Sequence, residues 1–209
     1  MTTTIYLIRH GQTASNATGF YMGREDVELN EVGLAQTEKL AARLASHPLN
    51  SIYASPLKRA FNTAEIVARP HGIGVKPMPN LMEMNYGDWQ GLHRNEIRQR
   101  YPELWRKSVD FEPDMCYPNG ESYREVMERS LAAFNEITEK EKDKLTAVVS
   151  HQGFLRVMVM HILGATYKMC PKIEFGNTSL SVVKITDGRP RLVTLNDMSH
   201  LEQMKQTGR

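Results

Sequence analysis

Apolar positions along the chain fall into short unbroken runs and longer stretches with helical spacing. Thr3 to Ile8 is rich in β-branched and aromatic residues and nearly continuous in apolarity from Ile5, as a strand covered on both faces would be. Gly11 breaks the run, and the Thr, Ser and Asn that follow suit the start of a helix. Leu34, Leu40, Ala41 and Leu44 predict one buried helical face, ended by Pro48. Ser51–Ser55 reads as a short strand. The helix after it takes Ser55 as N-cap and Pro56 as its first residue. Ile73–Met78 is a further short strand. Tyr123, Val126, Met127, Leu131, Phe134 and Ile137 mark one side of a long helix. Leu145–Ser150 predicts a buried strand running into a helix over 151–164 that is apolar nearly all round and therefore central. Ser179–Thr186 and Arg189–Asn196 form a terminal hairpin pair.

Strands alternating with helices predict an α/β fold, a mainly parallel sheet flanked by helices on both faces, in a single domain over residues 1–209. Residues 84–120 differ, because Gly, Pro, Trp and Tyr interrupt short helical pieces such as Arg94–Tyr101. They read as an excursion over the end of that domain that carries the active site, not as a second domain.

Composition changes this picture little. With 41% apolar and 24% charged residues the chain is an ordinary globular one, long enough to bury a proper core. Its 26 basic and 24 acidic residues are scattered, which gives no support for nucleic-acid binding. Cys116 and Cys170 are too few for a disulfide framework and have no metal-ligand spacing, so both read as free thiols. No basic segment precedes the first apolar run, which Arg9 cuts, so it does not read as a secretory signal. The longest apolar stretch, Phe154–Gly164, contains Arg156 and His161 and is far short of a membrane span. The expectation is a cytoplasmic protein without membrane or nucleic-acid partners; its oligomeric state, monomer or homodimer, stays open.

Candidate chemistry gathers at the ends of strands. Arg9 and His10 close the first strand, and His151 closes the buried strand 145–150, again followed by a glycine. In an open α/β sheet, ligands sit outside the carboxyl ends of the strands, so these groups can converge there. Lys58 and Arg59 lie in the first turn of a helix, where cations oppose the macrodipole. A bound anion would remove that conflict; a solvated surface pair is the alternative. Glu83 follows an apolar pair and precedes a glycine- and aromatic-rich loop. Facing an anion it would favour its protonated form and suit a general acid, whereas a salt bridge to an arginine is the other reading. Positive charge, a nucleophilic imidazole and an acid are what phosphoryl transfer requires. No metal-ligand motif and no Walker loop occurs, so neither metal nor cofactor is expected.

The ordered segments LIRHGQTASN, SPLKRAFNTAE, LMEMNYGDWQG and VSHQGFLR, with NGESYREVMERS between the last two, resemble the histidine phosphatase superfamily, the phosphoglycerate mutase-like proteins. The resemblance covers nearly the whole chain. It implies that His10 is the nucleophile that becomes phosphohistidine and that Arg9, Arg59 and His151 hold the phosphoryl group, with Asn16 adding a contact. Glu83 would protonate the leaving alcohol and then activate water, and Gly11 would let the backbone turn around the phosphoryl group. Many members carry two glycines after the second histidine; here Gln152 and Gly153 follow, as His-Gln does in fructose-2,6-bisphosphatases, so Gln152 is expected to touch phosphate. GREDVELNEVGLAQ and GDWQGLHRNEI are similar to PhoE-type broad-specificity phosphatases and α-ribazole phosphatases. LWRKSVDFEP resembles the mutases, whose basic pair, Arg106 and Lys107 here, holds a carboxylate, yet their long insertion is missing. The resemblance therefore implies a phosphatase acting on a small phosphorylated substrate. A mutase is the alternative, and a non-catalytic phospho-ligand binding module is a second.

Overall fold

The computed structural model describes residues 2–202. Six strands, β1 (Thr2–Arg9), β2 (Ser51–Ala54), β3 (Val75–Pro77), β4 (Leu145–Ser150), β5 (Leu180–Thr186) and β6 (Arg189–Asp197), form one sheet in the order β3-β2-β4-β1-β5-β6. The first four run parallel; β5 and β6 are antiparallel, joined by a tight turn at Asp187 and Gly188, both in left-handed conformation. Within the described residues six α-helices accompany them: α1 (Glu31–Leu44), α2 (Lys58–Ala68), α3 (Arg94–Arg100), α4 (Pro102–Val109), α5 (Tyr123–Lys140) and α6 (Gln152–Ile162).

Alternation along β1 sends Tyr6 and Ile8 into the core beneath α1 and α2, and Ile5 and Leu7 into the core beneath α5 and α6. The mainly parallel sheet with helices on both faces is thus the predicted architecture, and α6 is as central as its apolar surface implied, with Phe154, Leu155, Val157, Met158, Val159 and Met160 all buried. The segment 84–120 carries α3 and α4 on an aromatic cluster in which Trp89 packs edge-on against Tyr21 and Tyr117, with Tyr101 and Trp105 alongside.

Several local expectations are corrected. No α-helix follows Gly11. The Asn16 Oδ1 accepts the Thr13 N–H at 2.9 Å and closes one 3-10 turn, Ala14–Ala17; Gly19 and Gly23 then adopt positive φ, and α1 begins only at Glu31. Leu34 is exposed, because α1 packs through Gly33, Thr37, Leu40, Ala41 and Leu44. On α5 the small Ser130 and Ala133 are buried, while Met127 and Leu131 lie at the margin. Ser55 and Pro56 precede α2, which starts at Lys58 with Leu57 at its N-cap. The acceptor needed there comes from the loop after β1, since the Lys58 N–H donates to Asp26 Oδ1 at 2.7 Å.

Candidate active site

The parallel register aligns Arg9 of β1 with Ser150 of β4, so the residues that follow, His10 and His151, leave the sheet side by side; their rings lie 5.1 Å apart. The antiparallel β5 starts at this same edge. The Thr178 N–H donates to the carbonyls of Arg9 and His10, and Asn177 Nδ2 donates to His10 O at 3.0 Å and to Asn16 Oδ1 at 3.1 Å. Three strands and one loop therefore fix the backbone of Arg9 and His10 before any ligand is considered.

His10 is buried, and its Nδ1 lies 2.7 Å from the Gly11 carbonyl. A carbonyl only accepts, so Nδ1 carries the proton and Nε2 keeps its lone pair. Burial first, then the charges of Arg9 and Arg59, hold the His10 pKa well below the usual histidine value. His10 is accordingly neutral at pH 7, as a nitrogen nucleophile must be. His151 is the N-cap residue of α6, fully buried, with Nε2 2.8 Å from Ser55 Oγ; burial and then Arg59 push its pKa far down as well.

Gly11 does not owe its place to a left-handed turn. A Cβ on it would lie 2.7 Å from both Gly33 O and Thr37 Oγ1, so it is the close approach of α1 that requires glycine. Its N–H donates to Thr63 Oγ1, which in turn donates to the Arg59 carbonyl one helical turn back. The sequence signal for Thr63 was its place four residues after Arg59.

Arg59 is buried on α2, with Nη1 and Nη2 donating to the carbonyls of Glu25 and Gly23, both at 2.7 Å. Lys58 points away and pairs with Glu28, so of that basic pair only Arg59 reaches the site. Arg9 donates from Nη1 to Phe175 O at 2.6 Å. Burial draws the Arg9 guanidinium down to about 10 and lowers Arg59 too, with the Glu83 carboxylate opposing in both cases.

Glu83 makes no ion pair among the described residues. Its Oε1 accepts from the Met84 and Phe154 N–H groups and its Oε2 from Gly153 N–H, at 2.9 to 3.0 Å. Two of these donors belong to the first turn of α6, where a carboxylate satisfies both the free N–H groups and the helix dipole. The salt-bridge reading of Glu83 is thereby replaced by a helix-capping one that leaves Oε2 with a single protein partner.

Arg9, His10, Asn16, Arg59, Glu83 and Gln152 all line one polar cavity of about 170 Å³. His151 stands behind it against His10. Thr13, Ser15, Phe20, Tyr21, Met22, Gly23 and Tyr86 complete the lining, and none of these was singled out from the sequence. Within 84–120 only Tyr86 reaches this cavity; Trp89 and Tyr117 are core residues, and Arg106 faces solvent beside Asp110. Arg9 Nε and His151 Nδ1 are buried without a hydrogen-bond partner. These two atoms, with the Arg59 guanidinium and a single carboxylate beside them, describe a site suited to a multiply charged anion. Among the described residues no three His, Cys, Asp or Glu side chains converge as metal ligands do.

Comparison with known proteins agrees with this chemistry. The chain is 34% identical over 209 residues to a metal-independent phosphoserine phosphatase of Arabidopsis thaliana, covering 97% of this chain and 84% of the relative. PhoE of Bacillus subtilis, an uncharacterized phosphatase, is 27% identical over 95% of this chain and 97% of its own length. The phosphoserine phosphatase of Entamoeba histolytica, solved in complex with phosphoserine, superposes with a TM-score of 0.88 at 26% identity, covering 95% of this chain and 99% of that one. The profile of the histidine phosphatase superfamily (branch 1) matches residues 5–198, and the chain belongs to that superfamily.

Proposed function

We propose that the protein is a metal-independent phosphomonoesterase of the cytoplasm that hydrolyses small phosphorylated metabolites through a phosphohistidine on His10. The observation that carries the reading is the neutral His10 imidazole, its Nδ1 proton committed to Gly11 O, in one cavity with the half-buried Arg9, the buried Arg59 and the Glu83 carboxyl.

Arg9, Arg59, His151, Asn16 and Gln152 hold the phosphoryl oxygens. The Nε2 lone pair attacks phosphorus as the bond to the alcohol oxygen breaks, and Glu83 gives that oxygen its proton. Water then enters opposite His10, Glu83 takes a proton from it, and phosphate leaves with imidazole restored. Negative charge on the transferring group is balanced by guanidinium groups already fixed to carbonyl oxygens, so little reorganisation is needed. The segment 84–120 contributes Tyr86 to the wall of the site, and water is the acceptor of the phosphoryl group in this reading.

Phosphate release from p-nitrophenyl phosphate and metabolite esters in EDTA tests this directly. Release is expected with the chelator present, to be inhibited by vanadate and to be lost in His10→Ala; a His10→Ala protein of ordinary activity would remove the assignment. Isomerised 3-phosphoglycerate without net phosphate release would make the protein a mutase instead. Neither reaction, with phosphate esters still bound, would leave a binding module.

A further inference from the structure

The His10 cavity has a neighbour. Tyr21 and Tyr86 line it on one side and also line a second cavity of about 160 Å³. Phe111, Tyr117 and Tyr123 also line this second space, and the only charged side chain in its lining is Arg156. Arg156 Nε donates to Ile173 O at 2.6 Å, which pins the stem, while its Nη atoms have no protein partner among the described residues. The hydroxyls of Tyr21 and Tyr86 are likewise unpartnered among those residues, whereas Tyr117 and Tyr123 hydrogen-bond each other at 3.1 Å. Arg156 is close enough to Arg9 for their positive charges to oppose each other.

Gly153 lines the second space and lies against the carboxyl of Glu83, which lines the first. A Cβ there would lie 2.7 Å from Glu83 Oε1 and 3.3 Å from the Tyr86 hydroxyl. If Glu83 protonates the leaving oxygen, that oxygen sits beside this junction and the rest of the alcohol continues past Tyr86. It then meets an aromatic enclosure with one cation and no carboxylate to neutralise it. Arg106 and Lys107 line neither cavity.

We infer that this second cavity receives the alcohol half of the substrate and that Arg156 binds a carboxylate there, so that the preferred esters are small phosphomonoesters bearing a carboxylate on the alcohol, the chemistry shared by phosphoserine and phosphoglycerate. The inference rests on the phosphatase reading. A substrate with two anionic ends also relieves the opposition between Arg9 and Arg156.

Paired esters differing in the carboxylate test it. L-phosphoserine is compared with O-phosphoethanolamine, and 3-phosphoglycerate with glycerol 3-phosphate, in wild type, Arg156→Gln, Arg156→Lys and the double variant R106Q/K107Q. The wild type is expected to favour the carboxylated member of at least one pair by about tenfold or more in kcat/KM, the discrimination a charge-assisted hydrogen bond supplies. The preferred pair tells the amino acid from the hydroxy acid. Arg156→Gln should bring the ratio to within about twofold, mainly through KM, and Arg156→Lys should restore part of it. R106Q/K107Q should keep the wild-type ratio. A wild-type ratio near one for both pairs, or an unchanged ratio in a folded Arg156→Gln protein, overturns the inference. Should Arg156→Gln fail to unfold cooperatively, the wild-type ratios and Arg156→Lys decide. Absence of His10-dependent release from every ester, p-nitrophenyl phosphate included, would instead overturn the phosphatase reading beneath it.

Discussion

Three backbone N–H groups hold the Glu83 carboxyl where the first turn of α6 meets the phosphoryl cavity. The residue thus has a structural duty, capping α6, and a proposed chemical one, protonating the leaving oxygen. Glu83→Gln separates them. The amide keeps an oxygen for Met84 and Phe154, presents an NH₂ to the Gly153 N–H, and has no proton to give. A poor leaving group such as a serine or sugar alkoxide should then lose roughly 10²- to 10⁴-fold in kcat, but p-nitrophenolate, which needs little protonation, about tenfold or less. Equal losses on both would mean that only the cap was damaged and would end the acid assignment. From the sequence, Glu83 stood out because a carboxyl beside an anion site needs a reason, yet its three donors were invisible, since two of them come from α6, about 70 residues further on. Asn177 was hidden for the same reason: it reaches Asn16 and the His10 carbonyl from the start of the last hairpin. The convergence of Arg9, His10, Arg59 and His151 was legible because each sits at the end of a strand or the start of a helix, where type and position speak together. Tyr21 and Tyr86 were not, because an aromatic residue in a loop reads the same whether it packs a core or walls a pocket.

At the scale of elements, the contact between α1 and the segment after β1 governs how His10 is held. Asn30 caps α1 through the Gly33 N–H at 2.8 Å, and a Cβ on Gly33 would come 2.7 Å from Gln12 N and closer still to its carbonyl oxygen. Replacing glycine by alanine inside a helix ordinarily stabilises it by about 1 kcal/mol. Here the sign should reverse. Gly33→Ala must push Gln12, and with it Gly11 and His10, away from α1, at an overpacking cost of about 1–3 kcal/mol. For a chain of this size that lowers the unfolding midpoint by about 2–4 °C per kcal/mol, and turnover should fall with it. A higher midpoint with full activity would show that the loop yields freely and that α1 does not position the nucleophile. The helix itself was legible in its apolar spacing, and Leu40, Ala41 and Leu44 are buried as expected, but Leu34 is exposed and Gly33 and Thr37 make the contact in its place. A periodicity count looks for large apolar residues, and this interface is built from a glycine pair and a threonine. The missing helix after Gly11 is a related miss: Thr, Ser and Asn do cap locally, but Gly19 and Gly23 turn the chain before a second turn can form.

For the molecule as a whole, the same burial that prepares the site costs stability in acid. His10 and His151 are both held well below the usual histidine pKa in the fold, whereas in the unfolded chain they titrate near 6.5. Above 6.5 neither state is protonated and the two residues contribute no pH dependence. As pH falls through 6.5 the unfolded chain takes up a proton on each and the folded chain does not, so the unfolded state is favoured. From pH 7.5 to 5.5 the two together should withdraw about 3 kcal/mol, at 1.36 kcal/mol per proton and pH unit. His200, drawn down to about 4 by burial and then by Arg43, acts in the same direction. The carboxylates with the deepest shifts, Glu141 at about 2 and Asp197 lower still, do not titrate until well below this window. Denaturant unfolding at the two pH values measures the difference, and His10→Asn should remove about half of what His10 and His151 contribute. A flat profile between pH 7.5 and 5.5 would mean that the imidazoles are protonated in the fold, which a nucleophilic His10 cannot be. Inorganic phosphate gives the complementary result. An anion among Arg9, Arg59 and the two imidazoles favours their charged forms, so saturating phosphate should both raise the unfolding midpoint and flatten its decline toward acid. The stability the site gives up by burying uncompensated positive charge is recovered when its substrate binds, which is how a fold of ordinary composition comes to favour a phosphoryl group at one edge of its sheet.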